Sequence, residues 1–398
     1  MARPTITDVQ RRVLLVAHTP LSARYVNSHY EVMRGDPRLA FAATQAPDDF
    51  GAGVGQVMRG MGVPILPLER AATMEWDMSL CGTHYLPDVI TRVKKSVLIQ
   101  HGLGGGKVVN GEDYSYGPRL ALRSDGRPRY DLMLEASEAT RRRAVAGCPE
   151  LEGVIRVVGD MACDHLLAHG DPGMREACRR ELGIEPEQTA VLAISSFGPD
   201  GLLGRYGREL VPRLLALPEA YKPLITAHPH IWARPDRTPG AVELLTDARA
   251  QGMPVCQPGE DWVRYLAAAD GAIIDHSSMS LYYSLMARPT IAVPVQGHLI
   301  NPGAPVDMLR RASPVLASPG DLDPEFIDGV VEGFDPATFA ERRATITSHP
   351  GEAIDRTRAV LYEGLGLSPP ALPAVWRSGE SPSPSRHTSE VEVPHILG

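Results

Sequence analysis

Short, unbroken apolar runs constrain this chain more than any other feature. Arg12–His18 (RVLLVAH), Ser96–Gln100 (SVLIQ), Thr189–Ser195 (TAVLAIS), Lys222–His228 (KPLITAH) and Gly271–Asp275 (GAIID) are too short for ordinary helices. Apolar residues run together in them rather than alternating strictly with polar ones. That pattern belongs to strands buried on both faces, as in a parallel sheet covered by helices. Weaker runs at Phe41–Thr44, Val63–Leu66, Leu80–Gly82, Tyr130–Glu135, Val154–Val158, Val255–Gln257 and Thr290–Val293 extend the series. Helix-like spacing falls between them at Ser22–Arg34, Ser137–Val145, Met174–Leu182, Asp261–Ala269 and Ser280–Met286. Later helices are expected at Phe326–Glu332, Ala337–Ile346 and Ala353–Leu365. Ser137 is placed to cap its helix, while Gly183 and Gly366 are placed to end theirs.

The alternation runs to Val158, pauses, and restarts at Thr189. Domains typically hold about 100–200 residues, so a chain of 398 accommodates two. The expectation is α/β: two Rossmann-like domains facing a cleft, residues 1–170 and 171–350. A terminal helix at 351–367 packs back. A tail at 368–398, rich in Pro, Ser and Arg and poor in large apolar groups, is expected to be disordered.

Charge narrows the function classes. The formal net charge of -8 leaves no basic nucleic-acid footprint, and Lys94-Lys95 and Arg141-Arg142-Arg143 are short solvated runs. Cys81, Cys148, Cys163, Cys178 and Cys256 form no CxxC pair and are odd in number, which fits reduced thiols in a cytoplasm. The start of the chain lacks a signal-peptide core. No apolar run approaches the roughly 18 residues of a membrane span.

Three segments carry candidate chemistry. Gln100–Lys107 (QHGLGGGK) follows a strand. Gly102, Gly104 and Gly105 let backbone approach a ligand, His101 titrates near neutrality as a general base, and Lys107 supplies a cation. The GxxxxGK[ST] spacing of a P-loop fails because Val108 follows Lys107. His228-Pro229-His230 closes a later strand. Companion ligands at metal-site spacing are not evident, which favours phosphate or ribose contacts for His228 and His230, beside the plain alternative of a strand-end histidine. Asp275-His276-Ser277-Ser278 lies between a strand and a helix, where hydroxyls either simply cap the helix or also present N–H groups to a diphosphate. Ser195 and Ser196, in the turn after the first strand of the second half, join this donor-binding set. His18 and Thr19, at the end of the first strand, face the cleft as acceptor contacts. Asp164 is a hinge pin or cap, and Glu260 and Asp261 are placed to cap the Trp262 helix.

Together these segments resemble the CDP-glycerol glycerophosphotransferase family, which primes and polymerises teichoic acid on a two-lobed glycosyltransferase-B (GT-B) fold. His101-Gly102 with Lys107, Gly159 with Asp164, His228-Pro229 and Asp275-His276-Ser277-Ser278 carry the resemblance in matching order. It implies His101 as general base, and His228, Ser277 and Ser278 as holders of the donor diphosphate. It also implies transfer without a bound metal or other cofactor. Leu103-Gly104-Gly105-Gly106 and His276 depart from the family pattern, and no basic amphipathic segment for anionic membranes is evident. The expectation is therefore a cytoplasmic transferase moving a glycosyl or polyol-phosphate group from a nucleotide-activated donor to a hydroxyl acceptor. A small-molecule acceptor and a homo-oligomer are both compatible with it. The alternatives are a UDP-N-acetylglucosamine 2-epimerase-like isomerase, which needs carboxylates in the cleft, and a non-catalytic nucleotide-binding protein.

Overall fold

A computed structural model of the chain describes residues 9–82, 89–99, 103, 108–109, 112–113 and 115–371. The chain forms two parallel α/β sheets. The first holds β1 (Arg11–Ala17), β2 (Leu39–Gln45), β3 (Trp76–Cys81), β4 (Val93–Ile99), β7 (Leu132–Glu135) and β8 (Ile155–Val157) in the order β2-β1-β3-β4-β7-β8. The two-residue strands β5 (Val108–Val109) and β6 (Glu112–Asp113) pair with each other apart from it. The second sheet holds β9 (Thr189–Ser195), β10 (Tyr221–Ala227), β11 (Gly271–Ile274) and β12 (Thr290–Ala292) in the order β10-β9-β11-β12. The tail expected to be disordered lies outside the described residues from 372 onward.

Neighbouring residues of one strand feed separate cores, as double burial requires. Val13, Leu15 and Ala17 of β1 pack with the Pro20–Glu31 helix on one face. Leu14 and Val16 pack with Trp76, Leu98 and Met133 on the other. In β9, Ala190, Leu192 and Ile194 face one core while Val191 and Ala193 face its opposite. All five are at most 1% exposed, and burying a side chain the size of Leu or Ile contributes about 1.5–3 kcal/mol.

Two expected strands shrink to single bridges. Ile65 bridges Ala43, and Val255 bridges Ile225, each in parallel. Pro64 and Pro67 flank the first bridge and Pro254 and Pro258 the second. Proline lacks an N–H for the ladder, so pairing stops after one step. A third bridge joins Val315 to Ala292. With these positions included, each sheet contains the 3-2-1-4-5-6 order of the Rossmann fold, reversing beside β1 in the first sheet and β9 in the second.

The linking helix Met161–Ala168 follows β8, and its Ala162, Cys163 and Leu166 join the core beneath the second sheet. The last helix, Ala353–Leu365, returns to the first domain, where Leu361, Tyr362 and Leu365 enter the core. Asp164 ties the two helices together by accepting N–H bonds from Gly351 (2.6 Å) and Ala353 (2.9 Å). No described helix is long and apolar enough to cross a membrane.

Burial raises the Asp164 carboxyl to about 6, from an ordinary aspartate's 3.8. The folded state therefore holds this proton more tightly than the unfolded state does. The contribution of Asp164 to stability is fully present below about 3.8 and falls as pH rises through about 6. Asp164→Asn keeps one acceptor but cannot ionise, so it removes that decline. Denaturant midpoints of the two proteins across pH 4–7 should converge at the acid end and separate toward neutrality, with the variant the more stable. Parallel profiles would contradict this.

Candidate functional site

Ligands of doubly wound sheets bind outside the carboxyl ends of the strands, where the strand order reverses. In the second sheet that point lies between β9 and β11. It joins Ser195-Ser196 to Asp275-His276-Ser277-Ser278, two segments that the sequence analysis selected separately.

Asp275 holds the two together. Its carboxylate is fully buried and accepts from the Ser196 N–H (2.7 Å), the Ser196 hydroxyl (2.8 Å), the Leu202 N–H (2.8 Å) and the Ser277 N–H (2.7 Å). Its oxygens face the protein, which makes it a positioning residue rather than a direct contact to a donor. The Ser195 hydroxyl donates to the Ser196 carbonyl (2.8 Å) and accepts from the Leu203 N–H (2.9 Å). Asp275 and Ser195 thus occupy the first N–H groups of the 14-residue Leu202–Leu215 helix. The Ser277 hydroxyl caps the next helix, Ser278–Ser284, accepting from Met279 N–H (3.1 Å). His276 and Ser278 are half-buried at the same turn.

The histidines after β10 are turned inward. His228 caps the Pro229–Ala233 helix, its Nδ1 accepting from the His230 N–H at 3.1 Å. His230 is 9% exposed, stacked on Phe50 of the first domain (centroids 4.3 Å, 13°) and edge-on to Phe197 at 4.8 Å. Arg234 donates to the Asp49 carbonyl at 2.6 Å beside this contact. The pair therefore closes one side of the cleft by aromatic packing. His18, expected at the cleft, is 1% exposed, and its N–H donates to the Ser22 hydroxyl (3.0 Å). His101, Gly102, Gly104, Gly105 and Lys107 lie outside the described residues. The chain around them is anchored twice. Ile99 lines a first-domain cavity, and Leu103 is buried in the core beneath the second sheet.

That cavity encloses about 570 Å³ when its open mouth is counted, beyond the ends of β4, β7 and β8. Two carboxylates, Glu135 and Asp160, line it with His29 and Tyr116. The Tyr116 hydroxyl donates to Glu135 at 3.1 Å. Burial lowers His29 to about 4, so this imidazole is neutral at neutral pH. Burial raises the Asp160 carboxyl despite bonds from Ala162 N–H (2.7 Å), Cys163 N–H (3.0 Å) and the Tyr282 hydroxyl (3.0 Å). Tyr282 also contacts Tyr25, O to O, at 2.7 Å. Because Tyr282 donates to Asp160, Tyr25 donates to Tyr282. This chain of hydroxyls joins the two domains and the linker.

Several residues escaped the sequence analysis. Gly198, Gly201 and Gly204 shape the loop after β9: a Cβ on Gly201 would lie 2.5 Å from the Ser196 carbonyl oxygen, and one on Gly204 2.2 Å from that of Gly198. Their regular spacing after a strand was a readable signal. Arg310 donates to the carbonyls of Asp275 (3.2 Å) and Val293 (2.6 Å), bringing a cation to the strand ends. Arg24, on the first-domain helix Pro20–Glu31, is half-buried; burial lowers its pKa, partly opposed by the Cys256 thiol of the second domain. His165 and His169, with Asp261, place one metal-ligating atom each within 4.8 Å of the others. The His165–His169 spacing of four residues was a readable signal, but Asp261, distant in sequence, was not readable as their companion.

Asp275→Ala leaves three buried N–H groups and a hydroxyl without their acceptor. At about 1–3 kcal/mol per unsatisfied buried group, the variant should lose several kcal/mol of stability and expose the Leu202–Leu215 helix to hydrogen exchange first. Ser277→Ala removes a single cap and should lower stability by only about 1 kcal/mol. Equal melting temperatures for the two variants would remove Asp275 from its central place.

No family model matches the sequence, and no curated protein is detectably similar to it. Solved structures share its fold at low identity. The wall teichoic acid polymerase TagF, in an H444N variant soaked with CDPG, superimposes with a TM-score of 0.59 at 10% identity, covering 91% of each chain. Anabaena Alr3699/HepE in complex with UDP and glucose gives 0.53 at 13% identity, covering 90% of this chain and all of that one. These similarities, with the two Rossmann-ordered sheets facing one cleft, establish the GT-B fold for this chain.

Proposed function

We propose that this protein is a nucleotide-dependent transferase that moves a glycosyl or polyol-phosphate group to a hydroxyl acceptor. The observation that carries this reading is the second-sheet crest, where Asp275 fixes the Ser196 loop against the His276–Ser278 turn at the reversal of strand order. TagF and HepE, which share the fold, are recorded with CDPG and with UDP and glucose, which supports a nucleotide-activated donor at this crest. Ser277, Ser278 and His276 are the groups we assign to the donor diphosphate, with His228 and His230 at its margin. Arg310 and, from the opposite domain, Arg24 supply positive charge to a leaving nucleotide. Protein groups, rather than a metal, neutralise that charge in the transfer step. His101 takes the acceptor proton, and Lys107 with Gly102, Gly104 and Gly105 steadies the negative charge that develops.

One observation favours a second reading. The epimerase alternative needs acid and base carboxylates in the cleft, and Glu135 and Asp160 line one cavity. An epimerase converts a nucleotide sugar with no acceptor present, whereas a transferase releases nucleotide only as the acceptor is consumed.

Thermal-shift titration with CDP, UDP, GDP, ADP and TDP identifies the donor nucleotide. A response to CDP alone supports the polyol-phosphate class, and a response to UDP or GDP supports glycosyl transfer. With the donor known, His101→Ala should lower kcat by about 10²–10⁴-fold, the usual contribution of a general base, while leaving nucleotide binding unchanged. Full turnover in that variant would remove His101 as the base. Nucleotide binding without turnover of any donor and acceptor pair would favour the non-catalytic reading.

A further inference from the structure

We propose that His165, His169 and Asp261 form a binding site for a divalent transition-metal ion of the Zn²⁺ class, pinning the interdomain linker to the second domain. The two histidines lie one turn apart at the end of the Met161–Ala168 helix, with His169 as its C-cap. Asp261 reaches them from the N-cap of the Trp262–Ala268 helix. One ligand atom from each lies within 4.8 Å of the other two.

His169 and Asp261 are each oriented for this role by a separate contact. Nδ1 of His169 lies 2.9 Å from the His165 carbonyl, so it carries the proton and leaves Nε2 as the lone-pair donor. A backbone carbonyl behind a ligating imidazole is the usual way its tautomer is set. One Asp261 oxygen accepts from the Val263 N–H at 3.0 Å, which aims the other at His165. That second oxygen lies 3.3 Å from His165 Nε2. This is long for a hydrogen bond, which favours about 2.7–3.2 Å. It matches the ligand-to-ligand edge of a tetrahedron, since Zn–N and Zn–O bonds of about 2.0–2.1 Å place neighbouring donors about 3.3–3.4 Å apart. The imidazoles meet edge-to-face at 4.4 Å and 70°.

The surroundings allow an ion. The histidines are 1% and 8% exposed, so competition from bulk water is limited, while the Asp261 side chain is 21% exposed and gives a route from solvent. Arg264, the cation on the Asp261 helix, is engaged by Glu181 at 2.9 Å. Three protein ligands leave a fourth position for water. Two nitrogens and one carboxylate oxygen suit Zn²⁺ or Co²⁺ better than Mg²⁺ or Ca²⁺, which prefer all-oxygen shells. The ion would lock the linker helix to the Trp262–Ala268 helix. Trp262 packs on Tyr282 with ring centroids 5.2 Å apart, and Tyr282 donates to Asp160 at the linker's other end. This site is independent of the proposed transfer chemistry.

The test uses the full chain, freed of metal by chelation, with ZnCl₂ and CoCl₂ as probes. Calorimetry should show one Zn²⁺ per chain and a melting temperature that rises with Zn²⁺ but not with Mg²⁺. Co²⁺ should give the intense visible absorption of a tetrahedral complex. His169→Ala and Asp261→Asn should each weaken Zn²⁺ binding by about a hundredfold or more and abolish the Co²⁺ band, with far-UV circular dichroism unchanged. Should one variant fail to fold, the other carries the comparison. A wild-type protein that takes up no stoichiometric Zn²⁺, or variants that bind it like wild type, would overturn the proposal.

Discussion

The second domain is organised around one buried carboxylate. Asp275 has no solvent contact and faces donors from Ser196, Leu202 and Ser277. Carboxylate oxygens buried without donors are strongly unfavourable, and four short bonds meet these two, three on one oxygen and one on the other. The donors come from two loops 79 residues apart in sequence. Satisfying these buried oxygens therefore holds both loops in one crest. The Leu202–Leu215 helix, whose glycine N-cap makes no side-chain cap bond, takes its cap from the adjoining loop. The Ser277 cap of the following helix is set by the same contact. Geometry at the crest is thus fixed by buried hydrogen bonds rather than left to flexible loops.

Much of the fold was legible because burial on both faces leaves a dense apolar signature. The runs at Arg12–His18 and Thr189–Ser195 became β1 and β9, the strands beside which the order reverses. Val63–Leu66 and Val255–Gln257 carried similar composition, but flanking prolines removed the ladder donors and left single bridges. The Leu202–Leu215 helix was hidden for the opposite reason. Gly204, Gly207 and Pro212 lower its intrinsic helix propensity, yet Leu203, Leu210 and Leu214 bury one face in the core. Packing overrides propensity there.

The site was legible only in pieces. Ser195-Ser196 and Asp275–Ser278 were visible as hydroxyl-rich strand ends, but the sequence does not show that Asp275 looks inward. His228 and His230 carried polar chemistry in isolation, while Phe50 and Phe197, from distant segments, turn them into an aromatic contact across the cleft. Glu135 ends β7 and Asp160 caps the helix after β8, and only the neighbouring ends of β7 and β8 bring the two carboxylates to one cavity.

The junction between the domains has its own electrostatic logic. Asp160 caps the linker helix, a task that a solvent-exposed serine performs without burying a charge. Here the cap is half-buried at the cavity wall, and loss of hydration outweighs its three bonds enough to raise the carboxyl. One of those bonds, from Tyr282, arrives from the second domain, and Tyr25 of the first domain supports that hydroxyl in turn. Moving the domains apart would break the Tyr25 contact, because its two hydroxyls belong to opposite domains.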